Sequence, residues 1–216
     1  MKIVIDELSY KNRTIIEKTR LDVEQGDFIN VIGQNGSGKS SFFKALLGKT
    51  NYKGKVEILP SEIAVVSDYS RVPKELKVVD IIDFIRKKNM GNVDELISLL
   101  NLEHIANSKI GKLSSGEKRR IEIFVALSSE KEIIIYDEIT NALDMSVKKE
   151  LLEFIKRYHS NNNKIAFFTT HDLSETFYLE GKYWFLNQNS KTIEDLSKES
   201  QENIMKKYVL GASCIL

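Results

Sequence analysis

The sequence predicts an α/β fold built around a largely parallel sheet. Three observations carry that expectation. Short runs of β-branched and apolar residues alternate along the chain with segments whose apolar residues recur at helical spacing. Two of the runs, EIIIYDE at 132–138 and KIAFFTT at 164–170, are continuously apolar over most of their length, as strands buried on both faces are. A glycine-rich loop at 33–38 joins a strand, FINVI, to a helix.

Taken in order, residues 2–8, 14–23 and 27–32 read as strands, with Gly26-Asp27 as a turn. A helix begins near Gly38 and stops at Gly48, its apolar face made by Phe42, Phe43, Leu46 and Leu47. KVEI at 55–58 and IAVVS at 63–67 add two strands around Pro60. From about 76 to 107 the period turns helical. Val78, Ile81, Ile82 and Ile85 share one face, and Val93, Leu96, Ile97 and Leu100 another. Ser114-x-x-Glu117 forms a capping box for a helix carrying Ile121, Phe124, Val125 and Ser128. After the strand at 132–138 comes a helix with Val147, Leu151, Leu152, Ile155 and Tyr158, then the strand at 164–170. Asp172-x-x-Glu175 caps a short helix, KYWFLN at 182–187 is a last strand, and 193–209 reads as an amphipathic C-terminal helix.

A chain of 216 residues suits one large domain with its own core. Its 32 basic and 31 acidic residues nearly cancel, so charge gives no argument for nucleic acid or anionic lipid, and no nucleic-acid partner is expected. One cysteine, Cys214, excludes an internal disulfide framework and suits a reducing compartment. The apolar runs fall far short of the roughly 18 residues that span a bilayer. Asp6 and Glu7 interrupt the N-terminal run, so it does not read as a signal peptide. A cytoplasmic location is expected, with any membrane contact made through a partner.

Gly33-Gln34-Asn35-Gly36-Ser37-Gly38-Lys39-Ser40 fits the phosphate-loop pattern at every fixed position, between a strand and a helix. Such glycines let backbone N–H groups wrap phosphates, and the helix N-terminus adds a favourable dipole. Lys39 would reach the β- and γ-phosphates, the Ser40 hydroxyl would ligate Mg²⁺, and Ser41 would touch the α-phosphate side. Asp137 and Glu138 end an apolar strand. After a phosphate loop, the first carboxylate holds Mg²⁺ through water and the second polarises the attacking water. On their own, an acidic pair, a capped helix at 114–117 or a histidine after a strand would be ordinary structure. Their order along one chain gives them weight.

That order resembles the ATP-binding cassette (ABC) ATPases. Leu113-Ser114-Ser115-Gly116-Glu117 resembles the family's LSGGQ signature, with Ser115 for the first glycine and Glu117 for glutamine. Asn141-Ala142-Leu143-Asp144 resembles the D-loop that links the two sites of a dimer. His171, in TTHD, matches the switch histidine that contacts the γ-phosphate, and Tyr10 matches the aromatic that stacks on adenine. The resemblance runs from residue 10 to 171. It implies a single cassette over 1–216: a P-loop core, an N-terminal antiparallel β-subdomain and an inserted helical arm at about 69–110. Two cassettes, as a homodimer, would close on two ATP molecules with Mg²⁺. Ser114, Ser115, Gly116 and Glu117 of one would cover ATP held by the other. Hydrolysis would drive a transporter subunit on a separate integral-membrane chain, at the inner face of the cell membrane.

Two departures stand out. Asp68 stands where the family carries a glutamine that contacts Mg²⁺ or water; it can ligate a cation but, ionised, cannot donate a hydrogen bond. Ile139 replaces the proline that follows the acidic pair. The short spacing from Asp68 to Leu113 and the lack of a further domain resemble small exporter ATPases more than sugar importers. The alternatives are a soluble ABC ATPase acting on nucleic acid or ribosomes, and a regulatory ATP-binding module with little hydrolysis. The first has against it the balanced charge and the single cassette; the second rests on Asp68 alone.

Overall fold

The structure is a computed structural model, and it describes residues 1–10, 13–67, 72–88, 93–141 and 143–212. Asp68 and Ala142 lie outside the described residues. The strands are β1 (Lys2–Tyr10), β2 (Arg13–Asp22), β3 (Phe28–Ile32), β4 (Tyr52–Val56), β5 (Ile63–Val66), β6 (Ile133–Asp137), β7 (Ile165–Thr169), β8 (Lys182–Asn187) and β9 (Thr192–Asp195). The helices are α1 (Lys39–Leu46), α2 (Val78–Lys87), α3 (Val93–Leu99), α4 (Ser115–Ser128), α5 (Met145–Asn161), α6 (Leu173–Leu179) and α7 (Gln201–Ala212). Among the described residues no helix is long and apolar enough to cross a membrane.

Two sheets form. One is antiparallel, in the order β2-β1-β4; the other runs β5-β6-β7-β3-β8-β9. In the larger sheet every pair is parallel except β8–β9. The apolar runs of β6 and β7 are explained by burial on both faces. Ile133, Ile135, Ile165 and Phe167 pack with α1 residues Phe42, Phe43 and Leu46 and with Ile3, Ile5 and Leu8 of the small sheet. Ile134, Tyr136, Ala166 and Phe168 point the other way, toward α4 and α5. Both predicted helical faces, Val78/Ile81/Ile82/Ile85 and Val93/Leu96/Ile97/Leu100, are buried in that second cluster.

Because β6, β7 and β3 are adjacent and parallel, their carboxyl ends open on one edge. Asp137 is in register with Thr169, and Tyr136 and Asn30 both with Phe168. The phosphate loop, the acidic pair and the TTHD turn leave the sheet there, the position where open α/β sheets bind ligands.

Three expectations need correction. Residues 193–209 are not one helix: β9 pairs antiparallel with β8, and α7 starts only at Gln201. The turn is built by Asn187, whose Oδ1 accepts from the N–H groups of Asn189 and Ser190, and by Lys191 in the left-handed region. Ile193, Leu196 and Ile204 bury one face at a spacing that also suits a helix, which is why the periodicity misled. Val125 is partly exposed on α4, where Ile123 and Leu127 are buried instead. Asp172 does cap α6, accepting from the Ser174 N–H at 3.0 Å, but Glu175 turns inward to Thr140 and Lys148.

Candidate functional site

The phosphate loop leads from β3 into α1 with Gly38 at a φ of 108°, where a side chain would also strike Ile15. The start of α1 differs from every other helix start described. The N-termini of α4, α5 and α6 are capped by Ser114, Asp144 and Asp172, and α2, α3 and α7 carry an acidic residue in the first turn. Among the described α-helices, only α1 has neither a side-chain cap nor a first-turn acid. Its leading N–H groups therefore lack a capping side-chain oxygen and an acid in the first turn. Asn35, Gly36 and Ser40 are exposed at this end, and Ser41 is half-buried.

Lys39 folds back over the loop. Its buried ammonium donates to the carbonyls of Gly33 at 2.7 Å and Gln34 at 3.3 Å. Burial lowers its pKa, against the opposing pull of the Glu138 and Asp137 carboxylates. Ser37 is buried, and its Oγ has no hydrogen-bond partner among the described residues.

The acidic pair is held by β7. The Thr169 hydroxyl donates to Asp137 Oδ1 at 2.9 Å and accepts from the Glu138 N–H at 3.0 Å. Glu138 itself sits at a φ of 53°, an uncommon conformation for a side chain of its size. Its carboxylate accepts from Asn141 Nδ2 at 3.0 Å and lies 2.7 Å from His171 Nε2. Both side chains stay partly open to solvent. Thus Lys39, Asp137, Glu138, Asn141 and His171 converge where three strands end.

Other predicted residues lie elsewhere in the fold. Tyr10 ends β1 and is half exposed. Ser114 and Glu117 form the expected capping box, with the Ser114 N–H donating to Glu117 Oε2 at 2.8 Å and the Glu117 N–H to Ser114 Oγ at 3.3 Å. The Ser114 N–H, and then its hydroxyl at 2.7 Å, both donating to Glu117 Oε2, hold the Glu117 carboxyl below the usual range. Ser115 opens α4. Gly116 packs so closely on α5 that a Cβ would come 2.9 Å from Val147. Asp144 caps α5, accepting from the Val147 N–H at 3.0 Å. The signature segment is therefore seated on α5 and beside His104, which lies 3.8 Å from Glu117.

Two positions were not foreseen. Thr169 reads as an ordinary strand end, and only the register of β6 with β7 puts it beside Asp137. Glu175 reads as part of a cap, yet it is buried, accepting from the Thr140 hydroxyl at 2.7 Å and pairing with Lys148 at 2.5 Å. Thr140 follows Glu138 by two residues and Glu175 follows His171 by four, so this bond ties the two loops together.

A donor set of one hydroxyl and one carboxylate, Ser40 and Asp137, fits a hard cation that takes its remaining oxygens from water and phosphate, as Mg²⁺ does. Among the described residues no cluster of three or more His, Cys, Asp or Glu side chains could hold a metal by itself.

Comparison with known proteins places this geometry. The family model described as "ABC transporter" matches residues 16–141. The chain is 33% identical over 190 residues to the Bacillus subtilis (strain 168) protein named "Probable peptide export ATP-binding protein YydI", covering 87% of this chain and 90% of that one. It is 30% identical over 203 residues to "Molybdate import ATP-binding protein MolC" of Haemophilus influenzae, covering 88% and 80%. A solved ATP-binding subunit of an ABC transporter shares its fold, with a TM-score of 0.80 over 98% of each chain at 18% identity. On the family match and the first of these relatives, the chain belongs to the ABC transporter family, as an ATP-binding ATPase subunit.

Proposed function

We propose that this chain hydrolyses Mg-ATP in a closed dimer and drives an exporter whose membrane subunit is a separate chain. The observation that carries the reading is the uncapped N-terminus of α1 meeting Lys39 and the Glu138–His171 pair at one sheet edge. The phosphates sit on the N–H groups of residues 36–41, and the Lys39 ammonium exchanges the Gly33 and Gln34 carbonyls for phosphate oxygens. Ser40 and Asp137 hold Mg²⁺, which supplies charge neutralisation at the phosphates. Glu138 polarises the attacking water, and His171, 2.7 Å from it, orients the carboxylate. Tyr10 stacks on adenine.

In the dimer, Ser114, Ser115, Gly116 and Glu117 of one copy face ATP on the other, and Asp144 belongs to the loop between the two sites. The seating of Gly116 on Val147 supports this reading, since it joins the signature segment to the helix that Asp144 caps. The chain acts as one cassette over 1–216, with a helical arm at about 69–110 and Asp68 passing motion to the membrane subunit at the cytoplasmic face. Export is favoured by the similarity to a protein named for peptide export, and the molybdate relative is the counterweight.

The test is steady-state ATPase activity of the wild-type chain, Lys39→Ala and Glu138→Gln, with sizing of Glu138→Gln in ATP. Activity lost in both variants and an ATP-dependent dimer support the reading. Wild-type turnover in either variant overturns it.

A further inference from the structure

The C-terminal helix reaches the phosphate loop. The side-chain amide of Gln34 donates to the Tyr208 carbonyl at 2.7 Å, across 174 residues of chain. Gln34 is also the residue whose backbone carbonyl accepts from the Ser37 N–H at 3.1 Å and from Lys39 Nζ at 3.3 Å. Anything that fixes Gln34 therefore fixes the crest of the loop and the resting place of its lysine.

α7 is itself well anchored. Ile204 is buried with Ile32, Tyr183, Phe185 and Leu196, and the half-buried Tyr208 packs on the same cluster, as do Leu173 and Phe177 of α6. Lys207 Nζ donates to Glu194 Oε2 at 3.2 Å. Ile32 is the residue before Gly33, and Leu173 lies two residues after His171. α7 thus shares one apolar cluster with residues next to both the phosphate loop and the histidine turn.

We infer that α7 is a positioning element for the nucleotide site, acting through Gln34 to hold the phosphate loop in its binding conformation before ATP arrives. The inference rests on the proposed ATP site. The physical basis is preorganisation: a loop already held in place loses less freedom on binding, and the saving appears as affinity. Gln34 faces Tyr208, so it acts on the loop rather than on the reacting atoms. Its loss raises KM and leaves kcat nearly alone.

The experiment uses the full chain with Gln34→Met, which keeps side-chain length and removes the donor, with Tyr208→Leu, which loosens α7, and with the double variant. One net hydrogen bond predicts a rise in KM and in the ATP dissociation constant of about three- to ten-fold in each single variant, with kcat within about two-fold of wild type. The double variant should be no worse than the more affected single, because both act through one contact. Urea midpoints of the variants identify folded protein, and Gln34→Met, in a solvent-facing loop, is the variant expected to keep the wild-type value. An unchanged KM in Gln34→Met, or fully additive effects in the double variant, overturns the inference while leaving the ATP site standing. Lys39→Ala run alongside tells the two apart: if it too binds ATP like wild type, the ATP site itself is wrong.

Discussion

His171 Nε2 lies 2.7 Å from Glu138 Oε1, joining residues that leave the sheet from neighbouring strands β7 and β6. Neither residue is near the other in sequence. The pair forms because Asp137 is in register with Thr169, so the next residues of both strands emerge together. Asn141 Nδ2 holds the other carboxylate oxygen at 3.0 Å, which leaves the charge fixed in orientation.

Glu138→Gln keeps the side-chain size and an acceptor for Asn141 and removes the negative charge. ATP binding should survive, and turnover should fall by about 100-fold or more, the scale of a lost general base. A larger dimer fraction in ATP should accompany the loss, read by size-exclusion chromatography. Loss of ATP binding in parallel with turnover would assign Glu138 to binding instead.

Thr169→Val tests the hydroxyl that joins Asp137 to the Glu138 N–H. Thr169 is fully buried, and the variant removes the hydroxyl from two half-buried partners, of which the Glu138 N–H keeps the Thr169 carbonyl at 3.2 Å. A loss of about 1–3 kcal/mol in urea unfolding is expected, with slower turnover from a misplaced acidic pair. Thr169→Ser restores the hydroxyl and should recover most of both. Equal stability of Thr169→Val and wild type would show that the bridge contributes nothing net.

Much of this site was legible in the chain, and the exceptions have physical causes. The phosphate loop and the Asp137-Glu138 strand end are local patterns: glycine spacing in one case, an apolar run ending in two acids in the other. The capping box at Ser114 and Glu117 is equally local. Thr169, Glu175 and Gln34 were silent because each acts across strands or helices, through partners far away in sequence. Thr169 needs a register, Glu175 a half-buried lysine from α5, and Gln34 a carbonyl from α7. β9 was missed because its one apolar residue, Ile193, also fits a helical spacing with Leu196 and Ile204, and the Asn187 turn that separates strand from helix carries no glycine.

The Thr140–Glu175–Lys148 network predicts an asymmetry between two variants. Glu175 is almost fully buried, and Lys148 is its counter-charge at 2.5 Å. Lys148→Met leaves a buried carboxylate with only the Thr140 hydroxyl, so a loss of about 3–5 kcal/mol is expected. Glu175→Gln removes the buried charge while keeping an acceptor for Thr140, and should cost far less. Chemical denaturation of both variants measures this. A larger loss in Glu175→Gln would overturn this account, because that variant keeps the acceptor for Thr140 and removes only the buried charge.

His159 gives a stability that depends on pH within a narrow window. It lies on α5, packed against Phe28, Tyr136 and Tyr158, with Nε2 3.1 Å from the Tyr136 hydroxyl. Burial lowers its pKa from 6.5 to about 4. Between those values the unfolded chain binds a proton that the native chain refuses, so stability rises with pH. The contribution is complete above pH 6.5 and is lost as pH falls toward 4. By pH 5 the loss amounts to about 2 kcal/mol. The carboxylates with lowered pKa, such as Glu117, lose their contribution mainly below 4.5, under the pH 5.0 of the comparison. Urea midpoints of wild type and His159→Gln at pH 7.5 and 5.0 separate the two effects. Wild type should lose clearly more stability than the variant between those pH values, because glutamine has no proton to gain. Parallel losses would place His159 in contact with water, protonated as easily in the native chain as in the unfolded one.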